Sequence, residues 1–502
     1  MGLEFVVAVS LVMPVANTGA QPPEPTPAAS PPNETSTNSL TVVAQPEAMG
    51  TNTSETIFGT AVRAGTNATA VTSNTPAWLT QPLSLADALN LTLQQNAAVL
   101  QAKNDLEASY GVVIQTRAIA VPKIQATGSY EGISKNSIDS PNIPGITFGT
   151  EQTWTTLIRV TQSIYEGGRM MSAFRMARLT KEQAMLQYQT VLADTLLATR
   201  VAYYDVLLAA QQITVNEASV ALLTAELQDQ QRRFDAGTVP RFNVLRAEVA
   251  VANARPALIQ ARNNYRIAKN NLSNLLGFNL PNTVWEDIPL HLIDSLDAAP
   301  YQIDLPAAIQ DALQKRTELG ALRKAEELSQ ENVVNAKAGY KPSIQIFGGY
   351  GDRSSQFTND LTVTRYGWLA GAQMNWDIFD GMLTRGKIVQ ARALNQKAKT
   401  QVDDKARQVE LEVRTSYSTF VEAREVLESQ LKVQEEAEES LRLAKARADA
   451  GTGTQLDVLD AETSLTQART TKVQALHDYD VARARLERAI GQDMTFANSQ
   501  PQ

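Results

Sequence analysis

The second half of this 502-residue sequence repeats the pattern of its first half. Leu85 has its counterpart in Leu305, 220 residues later (305 − 85), and Gly237 has its counterpart in Gly451, 214 residues later (451 − 237). A proline-rich loop at 141–145 accounts for the six-residue difference between these spacings. A nearly constant spacing is the signature of an internal duplication, so the chain is expected to fold as two copies of one structural unit.

Each copy is predicted to begin with a helix and to continue with two strands. The first helix covers residues 85 to about 120 and opens on Ser84 and Asp87, which form a capping-box pattern, and Pro122 ends it. Apolar and polar residues then alternate with period two. In the second copy the apolar positions are Trp368, Ala370, Ala372, Met374, Trp376 and Ile378.

This alternation extends over about ten residues with aromatic residues at both ends, which is typical of strands in a membrane β-barrel. Trp154, Trp368 and Trp376 are the predicted interface aromatics. An antiparallel sheet with one solvated face is the alternative interpretation of the strands alone.

A long helix without any helix breaker follows in each copy, from about 169 to 236 and from about 385 to 450. At 1.5 Å per residue each helix would be about 100 Å long, which exceeds the diameter of a globular domain. A glycine-containing turn leads from each into a returning helix. The first returning helix has large residues at every seventh position, which are Val244, Val251, Leu258, Tyr265 and Leu272.

Alanines interleave with these heptad positions, and this pattern predicts close, left-handed helix packing. In the second copy Lys472 is the one departure, and its long side chain can extend out of the apolar stripe. The paired helices are therefore expected to project as a shaft.

Composition excludes several classes of protein. Hydrophobic residues make up 43% of the chain, yet the sequence is expected to contain no uninterrupted apolar stretch that is long enough for a membrane-spanning helix. The net charge of −8 (45 − 53) is evenly spread, which argues against a nucleic-acid partner. The chain has no cysteine, so it can form neither disulfides nor thiolate metal sites.

The residues that enzymes commonly use are sparse. The only two histidines, His291 and His477, are far apart in sequence and are expected to be ordinary surface residues. The glycine-rich stretch 347–351 lies on a predicted strand and lacks a following phosphate-binding helix. We therefore expect no catalytic site, no metal and no cofactor.

The termini differ in composition from the repeats. Residues 1–20 contain a short apolar run followed by small residues, which predicts a signal peptide, although the usual basic region before it is missing and a disordered apolar tail is the alternative. Residues 21–80 are rich in proline, serine and threonine and are predicted to be a disordered tether. The remaining divisions are a first repeat at 81–280, a linker at 281–303, a second repeat at 304–492 and a tail at 493–502.

Four strands per chain are too few to enclose a water-filled barrel. If the strands cross a membrane, several chains must contribute to one barrel. Three copies would supply twelve strands and a shaft of twelve helices.

The duplicated order of helix, two strands, long helix, glycine turn and heptad helix resembles the TolC-type outer-membrane efflux family over residues 85–491. The most specific segment of the resemblance is Gly451 to Glu462, which reads GTGTQLDVLDAE. The resemblance implies a mainly α-helical homotrimer, with a twelve-stranded β-barrel among outer-membrane lipids and a coiled-coil tunnel across the periplasm.

In function, the resemblance implies an outer-membrane channel subunit of a tripartite efflux or type I secretion system. Its partners would be a periplasmic adaptor protein and an inner-membrane RND or ABC transporter. A periplasmic coiled-coil adaptor and a structural envelope protein are the alternatives, but neither explains the aromatic-bounded strands.

The resemblance also implies roles for individual residues. Asp457 and Asp460 would form aspartate rings that narrow the tunnel mouth, although Asp457 also fits a helix cap with Thr454. The adaptor-docking tips would be Gly237, Thr238, Gly451 and Thr452, which also fit simple helix-cap turns.

Some members of the family lock the mouth with an arginine and an acidic residue. This chain has Gly453 and Asn243 at those places, and Arg241 is the candidate substitute for the arginine.

Overall fold

The computed structural model describes residues 82–134, 150–278 and 288–492. The predicted signal peptide, the predicted tether, the 141–145 loop and the C-terminal tail lie outside these residues. The elements in chain order are α1 Leu85–Gln95, α2 Ala97–Arg117, β1 Lys123–Gly132, β2 Gln152–Glu166, α3 Arg169–Asp235, α4 Arg241–Leu275, α5 Leu305–Lys315, α6 Thr317–Lys337, β3 Ser343–Ser354, β4 Thr364–Asn375, α7 Leu383–Asp449 and α8 Gln455–Ile490.

The duplication predicted from the sequence is confirmed by the element lengths. α1 and α5 each have 11 residues, α2 and α6 each have 21, and the long helices α3 and α7 each have 67. The returning helices α4 and α8 have 35 and 36 residues. The heptad positions of both returning helices face inward, with Val251 and Leu465 each 4% exposed.

The first predicted helix is in fact two helices, because the chain breaks at Asn96. This residue is extended (ψ 130°), and its side-chain oxygen accepts a hydrogen bond from Ala98 N at 2.8 Å. The side-chain amide of Asn96 donates to the Leu275 carbonyl at 2.7 Å. Asparagine is a strong N-cap residue, so the helix restarts there, and the prediction of one continuous helix was wrong.

The four strands form one antiparallel sheet in the order β1-β2-β3-β4. The register places Ile124, Val160, Gly348 and Ala370 in one row across the sheet. Since side chains alternate between faces, the apolar sets predicted for the separate strands lie together on one face. The predicted fourth strand was too long, because β4 ends at Asn375 and both Trp376 and Ile378 lie beyond it.

The long helices form a layer in the order α4-α3-α8-α7. α3 packs against both α4 and α8, and α8 also packs against α7. We call the hairpin of α3 and α4 the first hairpin and that of α7 and α8 the second. α3 and α8 therefore join the two hairpins, whereas α4 and α7 lie at the two ends of the layer.

A core near the sheet-side part of the hairpins holds the repeats together. Tyr203 of α3 is fully buried, and its hydroxyl donates to the Asp294 carboxylate at 2.8 Å. Ile288 and Leu290 of the predicted linker are buried in the same cluster. The described part of the linker is thus packed against the first repeat.

His477 is buried, so the prediction of a surface histidine was wrong. The residue is 8% exposed, and its ring lies between Asp205 Oδ1 at 2.8 Å and Asp478 Oδ1 at 3.0 Å. Burial lowers its pKa, but the two carboxylates outweigh burial and raise it. His477 connects α8 to α3 and has a structural role.

One helix of the described residues is long and apolar enough to cross a membrane by length and composition alone. It is α3, with a window of mean hydropathy 1.3. The sequence-based exclusion of any such stretch was therefore too strict. A single helix of this kind is weak evidence for a span, and α3 packs along α4 and α8.

Gly277, which follows α4, is expected to be intolerant of a side chain. Its φ is +75°, and an added Cβ would lie 2.5 Å from the Gln95 carbonyl oxygen. Gly277→Ala should cost about 2–4 kcal/mol of unfolding free energy, from backbone strain plus overpacking. Gly237 is the matched control, because its φ is +73° but open space surrounds it.

Thermal unfolding of the detergent-solubilised protein, followed by circular dichroism, measures both variants. Gly237→Ala should lose only the backbone contribution, about 1 kcal/mol. Equal losses for the two variants would contradict the predicted close contact with Gln95.

Candidate functional site at the hairpin tips

Both hairpins turn through a glycine in the left-handed region. Gly237 and Gly451 each have φ +73°. Just after each glycine, a threonine hydroxyl donates to a carbonyl of the preceding helix, Thr238 to Arg233 at 2.8 Å and Thr452 to Arg447 at 3.3 Å. The predicted tip residues thus form two capped turns, and their role in adaptor docking stays a prediction.

The second turn leads into a capping box that includes Asp457. The Asp457 carboxylate accepts hydrogen bonds from the backbone N–H and hydroxyl of Thr454 at 2.9 and 2.8 Å. Thr454 Oγ1 in turn accepts from Asp457 N. These bonds from Thr454 hold the pKa of Asp457 below its ordinary value. The structural alternative for Asp457 is therefore confirmed, and a role in a constriction stays a prediction that is compatible with it.

Asp457 and Asp460 line one groove between α7 and α8. Three further carboxylates from α7 line the same groove, and they are Glu435, Glu436 and Glu439. Arg447 is the one basic residue of the lining. This face of the second hairpin is therefore strongly acidic near the tip and favours cations.

The two tips are joined by contacts that sequence reasoning missed. Arg233 of α3 binds Asp449 of α7 at 2.7 Å and Asp229 of its own helix at 2.6 Å. The side-chain amide of Gln455 donates to the Asn243 carbonyl at 3.2 Å. Opposite charges beside the two turns were the only signal in the sequence, and they do not reveal which hairpins adjoin.

At the two positions where some family members lock the mouth, this chain has other residues. A Cβ on Gly453 would lie 3.0 Å from Ala448 N and from Arg447 Cβ, so an arginine there would require the turn to shift. Asn243 contributes its backbone carbonyl to the contact with Gln455. Arg241 has no ion pair with any residue that the structure describes. A role for Arg241 in place of the family's arginine is thus without support in the single chain.

The predicted interface aromatics lie at opposite ends of the sheet. Trp154 and Trp368 are near the end distant from the helices, where Trp154 Nε1 donates to the Leu361 carbonyl at 3.1 Å. Trp376 lies at the helix-side end, and its Nε1 donates to the Tyr340 carbonyl at 3.2 Å. Trp368 is 80% exposed. Their roles at a membrane interface stay predictions.

Comparisons with known proteins agree with this architecture. A family model described as "outer membrane efflux protein" matches residues 88–278 and 308–492. Outer membrane protein TolC of Escherichia coli K12 is 22% identical over 450 residues, which cover 82% of this chain and 87% of TolC. The alkaline protease secretion protein AprF of Pseudomonas aeruginosa is 26% identical over 318 residues, covering 62% of this chain and 65% of AprF.

The crystal structure of the outer membrane protein VceC of Vibrio cholerae shares the fold. Its TM-score is 0.67 at 18% identity, and the match covers 81% of this chain and 96% of VceC. The matches to the family model and to VceC extend over most of the chain, and the family model covers most of each repeat. The chain belongs to the outer membrane efflux protein family and is a component of an outer-membrane channel.

Proposed function

We propose that three copies of this chain assemble into a closed barrel and a helical tunnel, through which an inner-membrane pump discharges its substrates. The observation that carries this proposal is that the β-sheet of the single chain is open at both edges. Within the described sheet, β1 and β4 each have one edge without a partner strand. An unpaired edge binds further strands, and closure into a barrel satisfies all of them.

The helices at the two ends of the layer support the same assembly. α4 exposes Phe242 and Ile259, at 65% and 67%, and the tip half of α7 exposes Val426 and Leu443, at 44% and 43%. Apolar faces of this extent mark contact surfaces. In a ring of copies, α4 of one chain would pack against α7 of the next, as β4 would pair with β1.

The two faces of the sheet support a barrel in a lipid bilayer. One face carries the apolar rows bounded by tryptophans, and the other carries polar residues such as Gln345 and Gln373, which adjoin in register. Apolar residues facing lipid and polar residues facing water are the arrangement of an outer-membrane barrel. The family match leaves the adaptor and structural-protein alternatives without support.

The acidic groove at the second tip is proposed as the constriction of the tunnel mouth. Three copies would bring six aspartates, from Asp457 and Asp460, around one axis (3 × 2). Such a ring attracts cations and repels anions. The periplasmic adaptor would dock at the two glycine turns, and an RND or ABC transporter would supply the energy for efflux or type I secretion.

Single-channel recording in planar bilayers tests the constriction. Asp457→Asn combined with Asp460→Asn should reduce cation-over-anion permeability by about threefold or more and raise the closed-state conductance. Asparagine retains a cap acceptor for Thr454, so the turn should stay folded. Asp403→Asn combined with Asp404→Asn, on an exposed part of α7 far from the tip, is the matched control.

The control variant should match the wild type in conductance and selectivity. If the Asp457 and Asp460 variant also kept the wild-type selectivity, the constriction would have to lie elsewhere. A protein that forms no channels and purifies as a soluble monomer would overturn the whole proposal.

A further inference from the structure

A buried glutamate lies where the two hairpins meet near their tips. Glu462 of α8 is 1% exposed, and its neighbours along the helix belong to two apolar clusters. One cluster includes Val458 and Leu465, and the other includes Leu223 and Leu459. A carboxylate in such surroundings loses its hydration and is stabilised only through its partners.

Those partners leave Glu462 incompletely satisfied. Lys445 Nζ of α7 lies 3.1 Å from Glu462 Oε1 and is the charged partner of this carboxylate. Glu462 Oε2 accepts no hydrogen bond from any residue that the structure describes. Lys445 itself is 39% exposed, so solvent weakens its attraction.

The facing helix α3 adds a like charge and no donor. Glu226 repels Glu462, and the side-chain amide of Gln230 donates to Glu226 at 2.8 Å instead. Burial is the main cause that raises the pKa of Glu462, Lys445 offsets part of that rise, and Glu226 adds to it. The closed contact therefore binds a proton on Glu462 more tightly than water-exposed glutamate would.

Other polar atoms of this contact also lack partners. Gln230 Oε1 of α3 and Gln455 Oε1 of α8 are buried without a hydrogen bond among the described residues. We call the contact formed by Glu226, Gln230, Gln455 and Glu462 the seam. An unsatisfied buried polar group is destabilising, and hydration on separation would remove that cost. The seam therefore contains polar groups that would gain hydrogen bonds to water when the hairpins separate.

We propose that Glu462 is a positioning residue that makes separation of the hairpins, and with it the opening of the tunnel mouth, depend on protonation. The inference rests on the proposed channel function. Protonated Glu462 stays buried in the closed seam, whereas ionised Glu462 gains hydration when α8 moves away from α3. Acid holds the seam closed, and a rise in pH favours its opening.

The direction of the pH effect follows from the pKa of Glu462 in the closed seam and in the open, hydrated state. Below the ordinary value of 4.5 Glu462 is protonated in both states, so the closed seam keeps its full stability. As pH rises through the raised pKa of the closed state, ionisation progressively favours the open state. Each unit of difference between the two pKa values changes the open-to-closed ratio about tenfold per subunit.

The remaining charged groups of this region have other partners. Arg233 forms ion pairs with Asp229 and with Asp449 closer to the tips. Asp460 is exposed in the acidic groove, two residues from Glu462. An aspartate ring would titrate as well, so the test has to remove that contribution first.

Planar-bilayer recording of the assembled full-length protein is the test, from about pH 4 to about pH 8. The reference is the channel with Asp457→Asn and Asp460→Asn, in which the ring no longer titrates. In this background the fraction of time spent open should rise with pH, and adding Glu462→Gln should flatten the profile at a low open fraction. Glu428→Gln, at a side chain that is 73% exposed on α7, is the matched control and should leave the profile unchanged.

The recovery of heat-modifiable oligomer reports whether Glu462→Gln still assembles, and glutamine preserves the size of the side chain. A Glu462→Gln channel that keeps the pH profile of its background would overturn this inference while leaving the channel function intact. Failure of every variant and of the wild type to conduct would instead refute the proposed function.

Discussion

Replacing Ala372 with arginine is expected to prevent the chain from assembling in the outer membrane, whereas arginine at the adjacent Gln373 is expected to be tolerated. Ala372 lies on the apolar face opposite Ile346, midway between Trp368 and Trp376. An arginine facing lipid near the bilayer midplane costs about 2–4 kcal/mol. Since each chain of a trimer would carry one, the cost triples for the assembled barrel.

Gln373 is the matched control for Ala372, because it lies at the same depth in the sheet but on the opposite face. Its register partner is Gln345, so an arginine there would point into water. Membrane fractionation and gel analysis of unheated samples measure the assembled oligomer. Loss of oligomer in both variants would show that β4 tolerates no bulky residue, and loss in neither would refute the assignment of the apolar face to lipid.

The repeat architecture could be predicted because its signals are local and occur twice. Gly237 and Gly451 both stop a helix without any help from the rest of the fold, since each turn requires a positive φ. The alternation in β2 and β4 defined their faces, and the register then joined them into one surface. Asn96 was overlooked because it lies within an otherwise helical run, although its capping signal is also local.

Contacts between the hairpins could not be predicted, because they depend on which helices adjoin. Nothing in the sequence places Asp205 beside His477, which is 272 residues away, or Arg233 beside Asp449. Glu462 illustrates the same limit, because a glutamate on a long helix is ordinarily solvated. Only the packing of α8 between α3 and α7 buries it.

A disulfide between the hairpins is expected to hold the mouth closed. Thr466 Oγ1 of α8 lies 3.1 Å from Ser219 Oγ of α3, one helical turn beyond Glu462. Because a C–S bond is longer than a C–O bond, cysteine sulfur atoms at both positions would approach more closely than the hydroxyl oxygens do, towards the S–S bond length of about 2 Å. Because the chain has no native cysteine, Ser219→Cys combined with Thr466→Cys would form the only possible disulfide within a chain.

The oxidised channel should stay at its closed-state conductance even at high pH, and reduction with dithiothreitol should restore opening. The matched control joins Thr190 to Thr317, whose hydroxyl oxygens are 2.7 Å apart, in the part of α3 closer to the sheet. Cysteines at these two positions should also cross-link, but the tips would remain free to separate. Full opening of the oxidised Ser219 and Thr466 variant would mean that α8 need not leave α3, and the mouth would then have to open between neighbouring chains.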